Sequence, residues 1–305
     1  MQSNDTQQLT DIRAVPAPAR RARARGNLSV GGILFTGISQ LVLLTWAVLV
    51  VFPLAWMVMT SLKTDKEIFF SPWKLPASLQ WHNFTRAWNE ASIGRYFGNS
   101  IIVVAGSVTL TLLLSSMAAY VLARYSFPGN RVIYYIFLVG LMFPVFLALV
   151  PLFFLVRDLH MLGTYQGLIL VYTAYSLPFS IFFLHGFFRT LPSEVAEAAI
   201  IDGASDYAVF WRVMLPMAQP GLITVGIFNF LGQWNQYLLP LVLNPDRNRY
   251  VLPQGLAFLS IQQGYQNDWS ALFAGLTITM IPTLAVYALF QRRLEQGLTA
   301  GALKG

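Results

Sequence analysis

Glu197-Ala198-Ala199-Ile200-Ile201-Asp202-Gly203-Ala204, with nine residues separating Gly203 from Val213-Met214-Leu215-Pro216, is a polar interruption in an otherwise apolar sequence. The chemistry on offer is recognition: Glu197 and Asp202 can pair with basic groups of another protein, and the alanines permit close approach. Pro192 suits the first position of a helix, and Glu194 and Glu197 fall in its first turns, where the positive end of the helix dipole favours acids. Gly203 allows the left-handed backbone that ends helices. Ser205 can cap a second short helix through Trp211 to Leu215, which Pro216 punctuates. The expected arrangement is helix, glycine turn, helix, with Ala196, Ala199 or Ile200, and Gly203 along one small-sided stripe.

A second polar group, Asn229, Gln233, Trp234, Asn235, Gln236 and Tyr237, interrupts the apolar run from about Met217 to Leu243. Amides facing lipid would be unsatisfied, so they should face the bundle interior or a water-filled cavity. They could hydrogen-bond sugar hydroxyls while a ring stacks on the sugar's apolar face, or simply join neighbouring helices. No Gly-x-Ser-x-Gly elbow, His-Glu-x-x-His pair, Asp dyad at membrane depth or phosphate-cradling Gly-x-x-x-x-Gly-Lys-Ser/Thr loop appears. No catalytic residue is expected. His82, His160 and His185 have no metal-ligand spacing and there is no cysteine, so neither a metal site nor a disulfide is expected.

The elements that must position these groups follow from composition. The chain is 56% hydrophobic and 11% charged, with a mean hydropathy of +0.56, outside the range of soluble domains. Charged side chains are costly at the bilayer centre, so charge-free gaps mark spans. Six gaps, between Arg25 and Lys63, Arg95 and Arg124, Arg131 and Arg157, Asp158 and Arg189, Arg212 and Asp246, and Asp268 and Arg292, each exceed the length needed to cross the hydrocarbon core. The runs lack the alternation of a barrel wall. The predicted fold class is therefore all-α, a polytopic membrane protein with six transmembrane helices.

The larger share of the 20 lysines and arginines falls on the side of both termini, which predicts that both are cytoplasmic. The net charge is +7, and five of the arginines sit in the tail before the first span, which reads as membrane anchoring, with no nucleic-acid partner. Residues 1–30 read as a disordered basic tail, 31–291 as one six-span domain with a cytoplasmic segment at 190–216, and 292–305 as a flexible C-terminal tail.

Between the first two spans, Phe69, Phe70, Trp73, Trp81, Phe84 and Trp88 suit a short interfacial structure on the membrane. Ser107, Thr111 and Ser115, four residues apart, should line a helix-packing face. Pro144 and Pro151 in the third span and Pro178 in the fourth should each bend their helix.

The spacing Glu-Ala-Ala, three residues, Gly, nine residues, an aliphatic, one residue, Leu-Pro resembles the cytoplasmic EAA loop of ABC importer permeases, with Val213 at the usual Ile position. The chain from about Val30 also resembles the carbohydrate-uptake permeases of the maltose-permease type. It shares Ser61-Leu62-Lys63-Thr64, Asn99-Ser100, Ala119-Tyr120, Ala123-Arg124, Trp234-Asn235 and the terminal Gly301-Ala302-Leu303-Lys304-Gly305.

The resemblance implies a type I ABC importer permease fold in a bacterial plasma membrane. The implied partners are a second homologous permease subunit, two cytoplasmic ABC ATPase subunits that bind ATP and Mg, and an extracytoplasmic solute-binding protein delivering a sugar. Glu197, Ala198, Ala199, Asp202, Gly203, Ala204, Leu215 and Pro216 are the implied ATPase-coupling residues. Asn229, Gln233, Trp234, Asn235 and Tyr237 are candidates for the solute pathway. This chain itself would hold no cofactor. The alternatives are an importer permease for a non-sugar solute and a solitary secondary transporter; the latter would place coupling charges within the spans, where none is found.

Overall fold

The computed structural model describes residues 30–266 and 268–302. The basic N-terminal tail and the terminal Leu303-Lys304-Gly305 lie outside the described residues. Two compact units divide after Pro53. The described part of the first is helical throughout, within α1 (Val30–Ser61), whose last residues belong to the second unit.

In chain order there follow α2 (Asp65–Phe70), α3 (His82–Asn89), α4 (Ile93–Arg124), α5 (Asn130–Met142), α6 (Val145–Asp158), α7 (Tyr165–Phe188), α8 (Ser193–Ile201) and α9 (Asp206–Val209). A π-helical turn, Phe210–Met214, leads into α10 (Leu215–Met217), α11 (Gln219–Trp234) and α12 (Leu238–Leu243). A 3-10 turn, Arg247–Arg249, precedes α13 (Leu252–Gln266) and α14 (Trp269–Ala302). Among the described residues there is no strand, so the chain is all-α. Among the described residues four helices are long and apolar enough to cross a membrane alone, and the number is six if each of two bent pairs, α5 with α6 and the Asp206–Met217 segment with α11, counts as one span.

The centre of the second unit is the pair α4 and α7, which pack along much of their lengths, with α11 against both. Close approach is possible because Gly106 has no side chain: a Cβ there would lie 2.9 Å from Ile169 Cδ1 of α7. Ser107, Thr111 and Ser115 are buried, as their spacing predicts. At one end Asn99 Nδ2 donates to the carbonyls of Asn248 and Tyr250 at 2.9 Å each, and Tyr165 Oη donates to Asn99 Oδ1 at 2.8 Å. Ser100 Oγ accepts from the Leu252 amide at 2.7 Å. The Asn99-Ser100 pair thus staples the loop before α13 to both central helices.

On the same face, Asp65 Oδ1 accepts from the amide and hydroxyl of Ser270 at the start of α14, and Arg86 pairs with Asp268 at 3.1 Å. Lys63 is 1% exposed, and its ammonium donates to the carbonyls of Ser71 at 3.1 Å and Pro72 at 2.8 Å. The aromatics Phe70, Trp73 and Trp81 are exposed, consistent with an interfacial segment.

Several boundaries differ from the sequence expectation. The third span is broken by 103° at Phe143-Pro144, where proline starts α6. The fifth is interrupted at Asn235–Tyr237, since α11 stops at Trp234. Pro178 does not break α7; its ring rests against Gly140 of α5, and packing holds the helix through the proline. The expected flexible tail after residue 291 is helical as far as Ala302, continuing α14.

Candidate coupling segment and solute pathway

The segment at 190–216 folds as helix, turn, helix. Pro192 is the N-cap of α8, one position earlier than expected, and Ser193 is its first residue. Gly203 has φ +84°, the left-handed conformation that a side chain disfavours, and it reverses the chain between α8 and α9. Ser205 Oγ accepts from the Ala208 amide at 3.4 Å and caps α9. Pro216 does not stop this helix: it sits in α10, where the π-turn has already loosened the hydrogen-bond ladder, and the 71° bend falls at Ala218.

The face of α8 turned outward is not the expected stripe. Ala196, Ala199 and Ala204 pack inward against the cluster formed by Tyr120, Phe188, Phe210 and Met214. The small side chains therefore let α8 lie close against its own protein. Glu194, Glu197, Ala198, Ile200, Asp202 and Gly203 are exposed, and Ile201 is 85% exposed. Leu215 is only partly buried. The outer surface is thus an acid-flanked apolar ridge.

Two polar contacts and one aromatic cluster attach this segment to the long helices. Arg124, the last residue of α4, donates to the Leu191 carbonyl just before α8. Tyr125 Oη donates to Asp206 Oδ1 at 3.2 Å, at the start of α9. Burial, reinforced by Tyr120 and by the Asp206 carboxylate, raises the Tyr125 hydroxyl well above the ordinary phenol range, so it remains a donor. The Tyr120 ring meets Phe188 of α7 at 5.5 Å and Phe210 at 5.0 Å. Aromatic contacts of this kind add to the area they bury.

The amides of α11 occupy different environments. Asn229 Nδ2 donates to Ser180 Oγ and Gln233 Nε2 to Ser176 Oγ, both at 2.9 Å, while Gln233 Oε1 lies 2.5 Å from Ser107 Oγ. Residues four apart on α11 thus meet residues four apart on α7, and Gln233 also reaches α4. Ser176 and Ser180 were not singled out from the sequence, although their spacing matches that of Asn229 and Gln233.

Beside these rungs lies a cavity of ≈ 560 Å³ at the break between α5 and α6, lined among others by Phe143, Tyr175, Ser176, Asn229, Gln233 and Gln236. Trp234 does not border it. Its ring is 2% exposed, stacked on Phe230 at 5.5 Å and edge-on to Phe97 at 5.4 Å, in the core under α13 and α14. Asn235 and Tyr237 are exposed at the interruption after α11. Tyr175, on α7, supplies the ring beside the amides that Trp234 does not, and no local pattern singled it out.

Among the described residues no group of three or more metal-ligating side chains occurs. The fold is that of a solved bacterial ABC transporter involved in the import of the acidic polysaccharide alginate, with a TM-score of 0.76, 21% identity, and 87% of this chain and 98% of that one covered. The chain is 51% identical over 270 residues to the diacetylchitobiose uptake system permease protein NgcG of Streptomyces coelicolor, covering 88% of this chain and 89% of that protein. It is 35% identical to the arabinooligosaccharides transport system permease protein AraQ of Halalkalibacterium halodurans, covering 85% and 93%. Residues 111–300 match the family described as the binding-protein-dependent transport system inner membrane component. On that match and those relatives, this chain belongs to the binding-protein-dependent transport system inner membrane components.

Proposed function

We propose that this chain is the membrane-spanning permease subunit of an ATP-driven importer of a sugar or oligosaccharide, working with a second permease subunit, two cytoplasmic ATPase subunits and an extracytoplasmic solute-binding protein. The observation that carries the reading is the exposed acid-flanked ridge of α8 and its attachment to the ends of α4 and α7. ATP and Mg belong to the ATPase subunits. Both termini and the 190–216 segment face the cytoplasm of a bacterial cell, and residues 31–291 form the permease domain. The sugar assignment draws on the relatives named for diacetylchitobiose and arabinooligosaccharides.

The ridge residues Glu197, Ala198, Ile201 and Asp202, with the turn at Gly203 and Ala204, seat in a cleft of an ATPase subunit. Closure of the ATPase pair moves α8 and α9. Arg124 and Asp206 pass that displacement to α4, and the Tyr120 cluster passes it to α7. The tightly packed α4–α7 pair then tilts as one lever, and Leu215 and Pro216 lead the movement into the bend before α11. A ligand can shift such an equilibrium only through contacts that differ between the two states, and the ridge supplies them on ATP-driven closure. Tyr175, Gln233, Asn229 and Gln236 offer the ring and amides that a sugar needs on its way.

The test is co-purification of tagged full-length chain in mild detergent, followed by ATPase and uptake assays. The expected result is recovery of a second permease and an ATPase, with Glu197→Lys inserting and folding normally but failing to support uptake. Normal uptake by that variant would overturn the coupling role.

A further inference from the structure

Beside the coupling segment, a cavity of ≈ 570 Å³ opens between the end of α4, the turn before α5 and the end of α7. Three arginines line it: Arg124 of α4, Arg131 of α5 and Arg189 directly after α7. Each comes from a different helix end. Among the described residues no carboxylate lies within ion-pairing distance of any of them. Arg124 spends Nη2 on the Leu191 carbonyl, but its Nε is buried without a hydrogen-bond partner. Unsatisfied buried donors of this kind are uncommon.

The same cavity receives the start of α5. Gly129, at φ +90°, turns the chain into that 13-residue helix, and no side chain caps its first turn. The first helical residues, Asn130, Arg131 and Val132, line the cavity, so the positive end of the helix points where the arginines do. Asn130 instead holds the geometry, with Nδ2 donating to the carbonyls of Leu122 at 3.1 Å and Tyr125 at 2.7 Å. Arginines that merely anchored helix ends at headgroup level would be spread around the perimeter; these line one cavity.

We infer that this cavity binds a phosphoryl group, held by Arg131 and Arg189 at the open N-terminus of α5, with Arg124 in the cavity wall. Guanidinium forks and helix N-termini both match phosphate oxygens in charge and geometry. Occupancy ties α5 to α4 and α7 next to the Arg124–Leu191 contact, so the bound group stiffens the attachment of the coupling segment. The phosphoryl group comes from an anionic lipid headgroup or from a soluble phosphate compound.

The experiment uses the purified, delipidated full-length chain, titrated in native mass spectrometry with phosphatidylglycerol, phosphatidylcholine and inorganic phosphate. Arg131→Gln with Arg189→Gln should weaken phosphate-dependent binding about tenfold or more, the effect of losing a charge-assisted hydrogen bond. Arg157→Gln, whose arginine pairs with Asp158 at 2.8 Å and is not part of the cavity, should bind as wild type. Preference for phosphatidylglycerol supports the site with a lipid source. Competition by inorganic phosphate with no lipid preference supports it with a soluble source. Wild-type binding by the double variant, an equal loss in Arg157→Gln, or no binding by the wild-type chain overturns it. Arg131 and Arg189 are exposed and form no ion pair among the described residues, so the variants should stay monodisperse; if the double variant does not, Arg131→Gln alone gives the same reading. The readout needs no ATPase or sugar, so it stands apart from the importer proposal.

Discussion

Arg124 at the end of α4 donates to the carbonyl of Leu191, two residues before α8, so a central helix holds the coupling segment near its start. Removing the donor with Arg124→Ala leaves that part-buried carbonyl unpaired and frees the segment. A charge-assisted hydrogen bond contributes about 1.5–3 kcal/mol. Amide exchange of residues 191–204 in the full chain should therefore accelerate about tenfold or more, with α4 itself unchanged near Gly106. Unchanged exchange would mean that the Tyr125–Asp206 contact and the aromatic cluster hold the segment without it.

Ile201 is 85% exposed, so it contributes little to the fold and is free to contribute to an interface. Burying such a side chain against a partner is worth about 1.5–3 kcal/mol. Ile201→Asp should leave the thermal unfolding of the isolated chain in place and weaken ATPase-subunit binding about tenfold or more in a pull-down titration. Ala199→Asp should do the reverse, lowering the unfolding temperature, because Ala199 packs inward.

Gln233 bridges α7 and α4 through Ser176 and Ser107. Gln233→Leu leaves two buried hydroxyls without their partner, at a cost of about 1–3 kcal/mol. Combining it with Ser176→Ala should cost less than the sum of the two changes, as in a double-mutant cycle for residues in contact. Additive effects on thermal stability would show that the contact carries no coupling energy. A separate effect of Tyr175→Leu on the KM of uptake, without loss of stability, would locate the solute beside the ring.

Glu67 accepts from the Thr64 amide at 2.9 Å and from the Ala77 amide at 2.9 Å, closing the loop after α2. The Thr64 and Ala77 backbone hydrogen bonds hold its carboxyl below the ordinary value, with further help from the Thr64 hydroxyl. The unfolded loop thus takes up a proton at a higher pH than the folded one. The clamp contributes its full stability above the unfolded pKa and loses it as pH falls through the lower folded value. Exchange of the Ala77 amide, corrected for its intrinsic pH dependence, should rise across that acidic window. In Glu67→Gln it should be fast and insensitive to pH there; a variant that keeps the wild-type profile would place the titration elsewhere.

Lys63 and Ala199 show where reading by residue type stops. Lys63 reads only as the charge that ends the first span, yet its ammonium is buried on the Ser71 and Pro72 carbonyls, and this desolvation lowers its pKa, with Glu67 opposing. Ala199 reads as part of an outward ridge, yet the Tyr120–Phe210 cluster draws it in. Both outcomes depend on residues distant in sequence or on a neighbouring helix. Spacing along one element carries no information about them.

What the sequence by itself determined was local. Charge-free length marks the membrane helices, Gly203 ends α8 because few residues accept φ +84°, and Ser205 caps α9. These follow from bilayer thickness and from backbone sterics within a few residues. Only the tertiary structure decided that Asn229 meets Ser180, that Tyr175 and not Trp234 borders the cavity, and that three arginines from three helix ends line one cavity. The reason is that an apolar helix inside an apolar bundle has little amphipathic pattern to announce its inward face. Which neighbour that face meets is settled by packing and by the few buried polar groups that must find each other across helices.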